Sequence, residues 1–146
     1  MSDNALHYLD TSVVLAWLLV DSDVLGGIQG QDYVASSRLL WTEVARGLHT
    51  ALQTNRLAPE GMAQAQRRFA KLSTRIGRIE MSEAVLRRAE GPYPVVVRTL
   101  DAIHLASAER WLEYEGRVGE PGRLVMWSHD TRMNECGALL GFTTRL

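Results

Sequence analysis

The chain has 146 residues, 46% apolar and 23% charged, with a net charge of -1. At that length folding buries roughly 70% of the unfolded chain's surface, so an ordinary globular domain is expected, and both disorder and a multidomain enzyme are excluded. The longest apolar run, Val13 to Val20, is far shorter than the roughly twenty residues of a membrane span, and Asp3 without a basic leader argues against a signal peptide, so the chain reads as soluble and cytoplasmic with no membrane partner.

Leu6-His7-Tyr8-Leu9 reads as a strand that runs into Asp10-Thr11-Ser12, a helix cap, and then into the apolar helix Val13 to Val20. Gly26, Gly27 and Gly30 predict a loop, Tyr33-Val34-Ala35 a short strand, and Ser36 or Ser37 the opening of a helix that lasts to about Asn55. Pro59 starts a second helix whose apolar residues Met62, Ala65, Phe69, Leu72 and Ile76 keep a 3/4 spacing, so about 38–76 forms a helical hairpin. Arg78-Ile79-Glu80-Met81 reads as a third strand, and Ser82 with Glu83 caps a helix over Ala84 to Ala89. Gly91-Pro92-Tyr93-Pro94 is a loop, and a helix follows from about Thr99 to Glu115, ended by Gly116. Leu124-Val125-Met126-Trp127 is a buried strand, Asp130 to Leu140 a helix ended by Gly141, and Phe142 to Arg145 a last strand. Five strands alternating with helices, without an internal boundary, predict one α/β domain over residues 1–146 with a mostly parallel sheet covered on both faces.

A single cysteine, Cys136, and four histidines leave a thiolate zinc site without ligands, so any metal here is hard and oxygen-bound. Four carboxylates stand in telling places. Asp10 and Asp130 each follow an apolar strand and open a helix, where ligands bind in open α/β sheets and where Asp is equally at home as a helix cap. Glu43 lies about 60° from Leu40 on the helical wheel, at the edge of the row Leu40, Val44, Leu48 and Leu52, with Gly47 one turn on leaving room beside it. Asp101 heads the row Leu105, Ala108 and Leu112, all within about 40° of it, a costly place for a charge unless it pairs, with Arg98 for example, or binds a cation. Four such groups converging at one end of a sheet repel one another unless a cation compensates them, and Mg²⁺ or Mn²⁺ matches an all-oxygen set. No Walker A run, Gly-rich dinucleotide fingerprint or Ser-His or Cys-His arrangement is present.

Four motifs, Tyr8-Leu9-Asp10-Thr11-Ser12-Val13-Val14, Thr42-Glu43-Val44, Leu100-Asp101-Ala102-Ile103-His104-Leu105-Ala106 and Ser128-His129-Asp130-Thr131-Arg132-Met133, stand in an order and spacing that resemble the PIN domain. Within that family the likeness is to the small VapC-type toxins of bacterial and archaeal toxin-antitoxin pairs, and it runs nearly end to end. The resemblance implies a PIN-like three-layer fold with a central five-stranded sheet. It puts Asp10, Glu43, Asp101 and Asp130 on the family's acidic metal-binding positions and Ser12 and Ser128 on hydroxyl positions beside them, with Asn134 as a match for a further polar position. It also implies RNA as substrate, a homodimer and a cognate antitoxin that blocks the site.

His104, one turn beyond Asp101, can serve as a hydrogen-bond partner or proton shuttle behind the carboxylates, or simply pack, as can His129; Trp17, Trp41, Trp111 and Trp127 read as core or dimer-interface residues and Cys136 as a small buried one. The segment from Arg56 to Glu90 carries +4 while the remainder carries -5 and holds every Asp. Arg67, Arg68, Lys71 and Arg75 share the side of the Pro59 helix opposite its apolar row, either as a solvated face or as a guide that brings an RNA backbone to an acidic site. The expected function is a Mg²⁺- or Mn²⁺-dependent endoribonuclease leaving 5′-phosphate and 3′-hydroxyl ends. The alternatives are a catalytically silent RNA- or protein-binding module and a haloacid-dehalogenase-like phosphohydrolase, the latter lacking a second Asp at Ser12 and a late Lys.

Overall fold

The computed structural model describes residues 4–20, Leu25, Ile28 and 32–145, so the predicted glycine loop at Gly26, Gly27 and Gly30 lies outside the described residues. Five strands, β1 (Leu6–Leu9), β2 (Tyr33–Ser37), β3 (Gly77–Ile79), β4 (Leu124–Trp127) and β5 (Thr143–Arg145), form one sheet in the order β3-β2-β1-β4-β5. All four pairings are parallel, so each connection is a crossover that lays helix on a face. The helices are α1 (Thr11–Val20), α2 (Leu39–Gln53), α3 (Pro59–Ser73), α4 (Glu83–Ala89), α5 (Thr99–Tyr114) and α6 (Thr131–Leu139). No described helix is long and apolar enough to cross a membrane.

Alternation along β1 and β4 divides the core. Leu6, Tyr8, Leu124 and Met126 pack with Leu105, Ala108 and Leu112 of α5 and Met133 and Cys136 of α6. Leu9 and Trp127 turn to the other face, against Val13, Val14 and Leu18 of α1, Leu40, Val44 and Leu48 of α2, and Met62 and Ala65 of α3. Helix α4 packs on the outer side of α5 through Val85, Ile103 and Ala106, so residues 102–108 of α5 are buried all round.

The sequence reading needs adjusting at two junctions. Ser36 and Ser37 extend β2 instead of opening α2, because the Ser36 hydroxyl donates to the Leu9 carbonyl (2.6 Å) and the Ser37 N–H to the Tyr8 hydroxyl (3.1 Å). Helix α2 begins two residues later, where Ser37 Oγ accepts the Leu39 N–H. The space at Gly47 is taken by α1: a Cβ there would stand 2.7 Å from Leu15 Cδ1, so this glycine brings α1 and α2 together, and the open space beside Glu43 lies elsewhere, in a cleft that its side chain lines. The Pro59 helix ends at Ser73, three residues before the predicted Ile76, and the other predicted elements lie within two residues of their observed bounds, with Gly141 at φ +95° closing α6 against Pro121.

Candidate functional site

Chain order runs outward from β1 through β2 to β3 on one side and from β4 to β5 on the other, so the strand order reverses between β1 and β4. At such a reversal the two departing loops part and leave a crevice at the carboxyl ends of the strands. Asp10 follows β1 and Asp130 follows β4 at this point. The Asp10 carboxylate is buried, and its Oδ2 accepts hydrogen bonds from Ser12 Oγ and Ser128 Oγ, both at 2.8 Å. Each hydroxyl also accepts a backbone N–H, Ser12 from His129 across the gap (2.9 Å) and Ser128 from Asp130 within its own loop (3.0 Å). The two strand ends are thereby stitched through one carboxylate, with charge-assisted bonds worth about 1.5–3 kcal/mol each. Asp10 is therefore no ordinary helix cap; its hydrogen bonds go to side chains.

Asp130 does cap. Its Oδ1 accepts the N–H groups of Arg132 (2.9 Å) and Met133 (3.1 Å), which starts α6 and leaves Oδ2 outside the cap. One turn on, Asn134 Nδ2 donates to the Ser128 carbonyl at 2.8 Å, while Asn134 Oδ1 is buried with no hydrogen-bond partner. His129 is exposed and takes part through its backbone alone.

Glu43 arrives from α2, half-buried. Its Oε1 accepts the Thr11 hydroxyl at 2.6 Å and faces His104 Nε2 at 2.6 Å. Burial, the largest influence on the Glu43 carboxyl, pushes it up, but the hydrogen bond and charge of His104 and the Thr11 hydroxyl outweigh it and hold the group below the usual carboxylate range. His104, only 1% exposed, has Nε2 3.8 Å from Asp10 Oδ1 and Nδ1 2.7 Å from the Tyr8 hydroxyl.

Asp101 stands in the first turn of α5. Burial, then the charges of Asp130 and Asp10, raise its carboxyl above the usual range, with Arg98 and His104 offsetting part of this. Arg98 shares the wall of a cleft of about 660 Å³ with Asp101, Glu43, Val97, Thr99, Leu100 and Asp130, and acts on Asp101 through its charge. Among the described residues, no three His, Cys, Asp or Glu side chains stand close enough to grip one ion directly.

A family model for the PIN domain matches residues 7–114. The chain belongs to the PIN-domain family. Its fold is similar to that of a chain in the crystal structure of VapBC2 from Rickettsia felis bound to a DNA fragment from their promoter, with a TM-score of 0.61 at 12% identity over 96% of this chain and 97% of that one. No protein of curated function matches the chain.

In this PIN domain Ser12 and Ser128 contact the Asp10 carboxylate, and His104 contacts that of Glu43. Thr11 and Tyr8 complete the network and were not singled out as site residues from the sequence. The signal for Tyr8 was its two-residue spacing from Asp10, which puts both side chains on one side of β1. On the hairpin, Arg67, Lys71 and Arg75 are exposed, whereas Arg68 is half-buried with its guanidinium 4.3 Å above the Trp17 ring. Trp111 and Trp127 are buried, and Trp17 and Trp41 pack against the core.

Proposed function

We propose that this PIN domain is a Mg²⁺- or Mn²⁺-dependent endoribonuclease, the toxin half of a toxin-antitoxin pair. The observation that carries this reading is the meeting of Asp10, Asp101 and Asp130 at the β1/β4 reversal, near enough for two of the charges to raise the third. The donor set fits a hard divalent cation: the oxygens are carboxylates, and the orphaned Asn134 Oδ1 is a further neutral oxygen beside them in sequence. Their spacing, too open for three direct side-chain ligands, suits Mg²⁺, which keeps several waters and binds through one or two carboxylates.

When bound, such a cation makes water acidic enough to attack near neutral pH and takes up the charge that develops on the phosphodiester. Asp10 Oδ1 and Asp130 Oδ2, the oxygens free of the hydroxyl pair and the helix cap, would hold it directly, and Asp101 and Glu43 Oε2 would hold it through its waters. Ser12 and Ser128 keep the Asp10 carboxylate in one orientation. Arg98 on the cleft wall offsets the phosphate charge, and Arg67, Lys71 and Arg75, with Arg68 in support, guide the backbone from farther off. In-line attack by water on phosphorus breaks the bond to the 3′-oxygen and leaves a 5′-phosphate and a 3′-hydroxyl.

The proposed partners are RNA, a second copy of the chain and a cognate antitoxin. An apolar groove of about 640 Å³, walled by Leu86, Ala89, Val95 and Ile103, adjoins the acidic cleft at Val97 and Thr99. A partner segment with apolar side chains in that groove would carry a basic residue directly to the carboxylates. Total RNA incubated with the purified protein should be cut in Mn²⁺ and spared in excess EDTA, with mapped 5′-phosphate ends. Binding without cutting in either condition would assign the chain to the silent binding-module alternative.

A further inference from the structure

Behind the cleft lies a buried chain of hydrogen bonds that ends on a single oxygen of Glu43. The Ser37 N–H donates to the Tyr8 hydroxyl (3.1 Å), the hydroxyl meets His104 Nδ1 (2.7 Å), and His104 Nε2 meets Glu43 Oε1 (2.6 Å). Tyr8 and His104 are 0% and 1% exposed, so bulk water does not reach either side chain. From this geometry we infer that Tyr8 is a positioning residue for the proposed nuclease reaction: its phenol donates to His104 Nδ1 and so keeps the Nε2–H aimed at Glu43 Oε1, leaving Glu43 Oε2 turned to the cleft.

The direction of each bond follows from what each group can give. The amide of Ser37 can only donate, so the phenol oxygen receives there. A neutral imidazole has one donor and one acceptor nitrogen. With Glu43 Oε1 already receiving the Thr11 hydroxyl, the ring nitrogen that faces this carboxylate oxygen carries the hydrogen, and Nδ1 is left to accept from Tyr8. Tyr8 touches neither substrate nor the cleft; it acts through His104, just as outer hydrogen-bond partners fix the orientation of histidine and carboxylate ligands in metal sites. The inference rests on the nuclease reading only for its consequence, since the hydrogen-bond chain belongs to the metal-free protein.

The first test is the ¹⁵N spectrum of the His104 ring in the full-length, metal-free protein at mildly alkaline pH, where a free imidazole is neutral. A protonated Nε2 and an unprotonated, acceptor-type Nδ1 are expected; a proton on Nδ1, in a neutral or a charged ring, overturns the proposal whatever any variant does. In Tyr8→Phe, which keeps the ring and removes the hydroxyl, the Nδ1 resonance should move downfield, as an acceptor nitrogen that has lost its donor does, while Glu43 keeps the hydrogen on Nε2. The Mn²⁺ dissociation constant by calorimetry should rise about 10-fold or more, the scale set by loss of an outer-shell partner. A folded Tyr8→Phe protein with unchanged His104 signals and unchanged Mn²⁺ affinity also overturns it. Cleavage of RNA by the wild-type protein separates the two levels: its absence removes the nuclease reading and leaves the Tyr8 to His104 assignment to stand or fall on the spectrum.

Discussion

The two banks of the cleft are built on different principles. On the β1 bank, Asp10 is buried yet receives two hydroxyls, and Glu43 receives Thr11 and His104, so each charge is met by short donors. On the α5 bank, Asp101 receives no hydrogen bond among the described contacts and is raised by burial, Asp130 and Asp10. One bank is ordered before any ligand arrives. The other holds repulsion that a cation would relieve. A site of this kind divides its work: the ordered bank fixes where a ligand sits, and the repelling bank makes binding favourable once it does.

The sharpest break of this comparison is to neutralise each bank in turn. Asp10→Asn and Asp101→Asn should both lower RNA cleavage on the order of 10³-fold or more, as removal of a central electrostatic group does. Their stabilities in EDTA should diverge. Asp10→Asn weakens two charge-assisted bonds and should melt lower, whereas Asp101→Asn should melt higher by an amount on the order of 1 kcal/mol or less, the scale of a half-exposed charge interaction. A lower melting temperature for Asp101→Asn would erase the contrast.

Removing the donors tests the ordered bank without touching a carboxylate. Ser12→Ala and Ser128→Ala should each cost about 1.5–3 kcal/mol in urea unfolding, because each leaves a buried carboxylate short of a charge-assisted bond. Thermal or urea midpoints equal to wild type would mean that Asp10 is ordered by its backbone alone.

Acid titration gives the two banks opposite signs. The raised Asp101 carboxyl contributes stability below the ordinary carboxylate range and loses it as pH climbs through its folded value, so the advantage of Asp101→Asn should grow from acid to neutral pH. The lowered Glu43 carboxyl contributes stability above that range and loses it as pH falls through its folded value, so the deficit of Glu43→Gln should close on acidification. Unfolding curves for both variants and wild type in EDTA across the acid range check the two trends.

The smallest expected effect lies away from both banks. Replacing exposed Arg67, Lys71 and Arg75 by Gln should lower the logarithmic salt slope of RNA binding by about two, given about 0.7 per phosphate contact on single strands. An unchanged slope would make the hairpin a solvated face.

The comparison also shows what a sequence can and cannot convey. Short apolar runs, caps and Gly/Pro punctuation, with a 3/4 spacing in the Pro59 helix, exposed all five strands and six helices, and the positions of Asp10 and Asp130 after apolar strands pointed to the crevice. Asp101 stood out because a charge heading a core row has to be explained. Partner choice did not show. Arg98, three positions before Asp101, shares the cleft wall with it instead of forming an ion pair among the described residues, and Arg68 goes to Trp17. Tyr8 looked like any core aromatic, since the bond from its hydroxyl to His104 spans 96 positions and depends on how α5 crosses the sheet. Local patterns carry periodicity; they do not carry which distant groups meet.

That separation has a consequence for the life of the chain. Ser128 reaches Asp10 across 118 positions, and β1 lines up with β4 over the same span. During synthesis, β1 emerges long before the strand that must lie beside it, so Asp10 waits without Ser128, Asp101 and Asp130 while most of the polypeptide is still being made. The carboxylate crevice therefore comes into existence only when the last third of the molecule docks. In the proposed nuclease, such late assembly would set a delay between translation and activity.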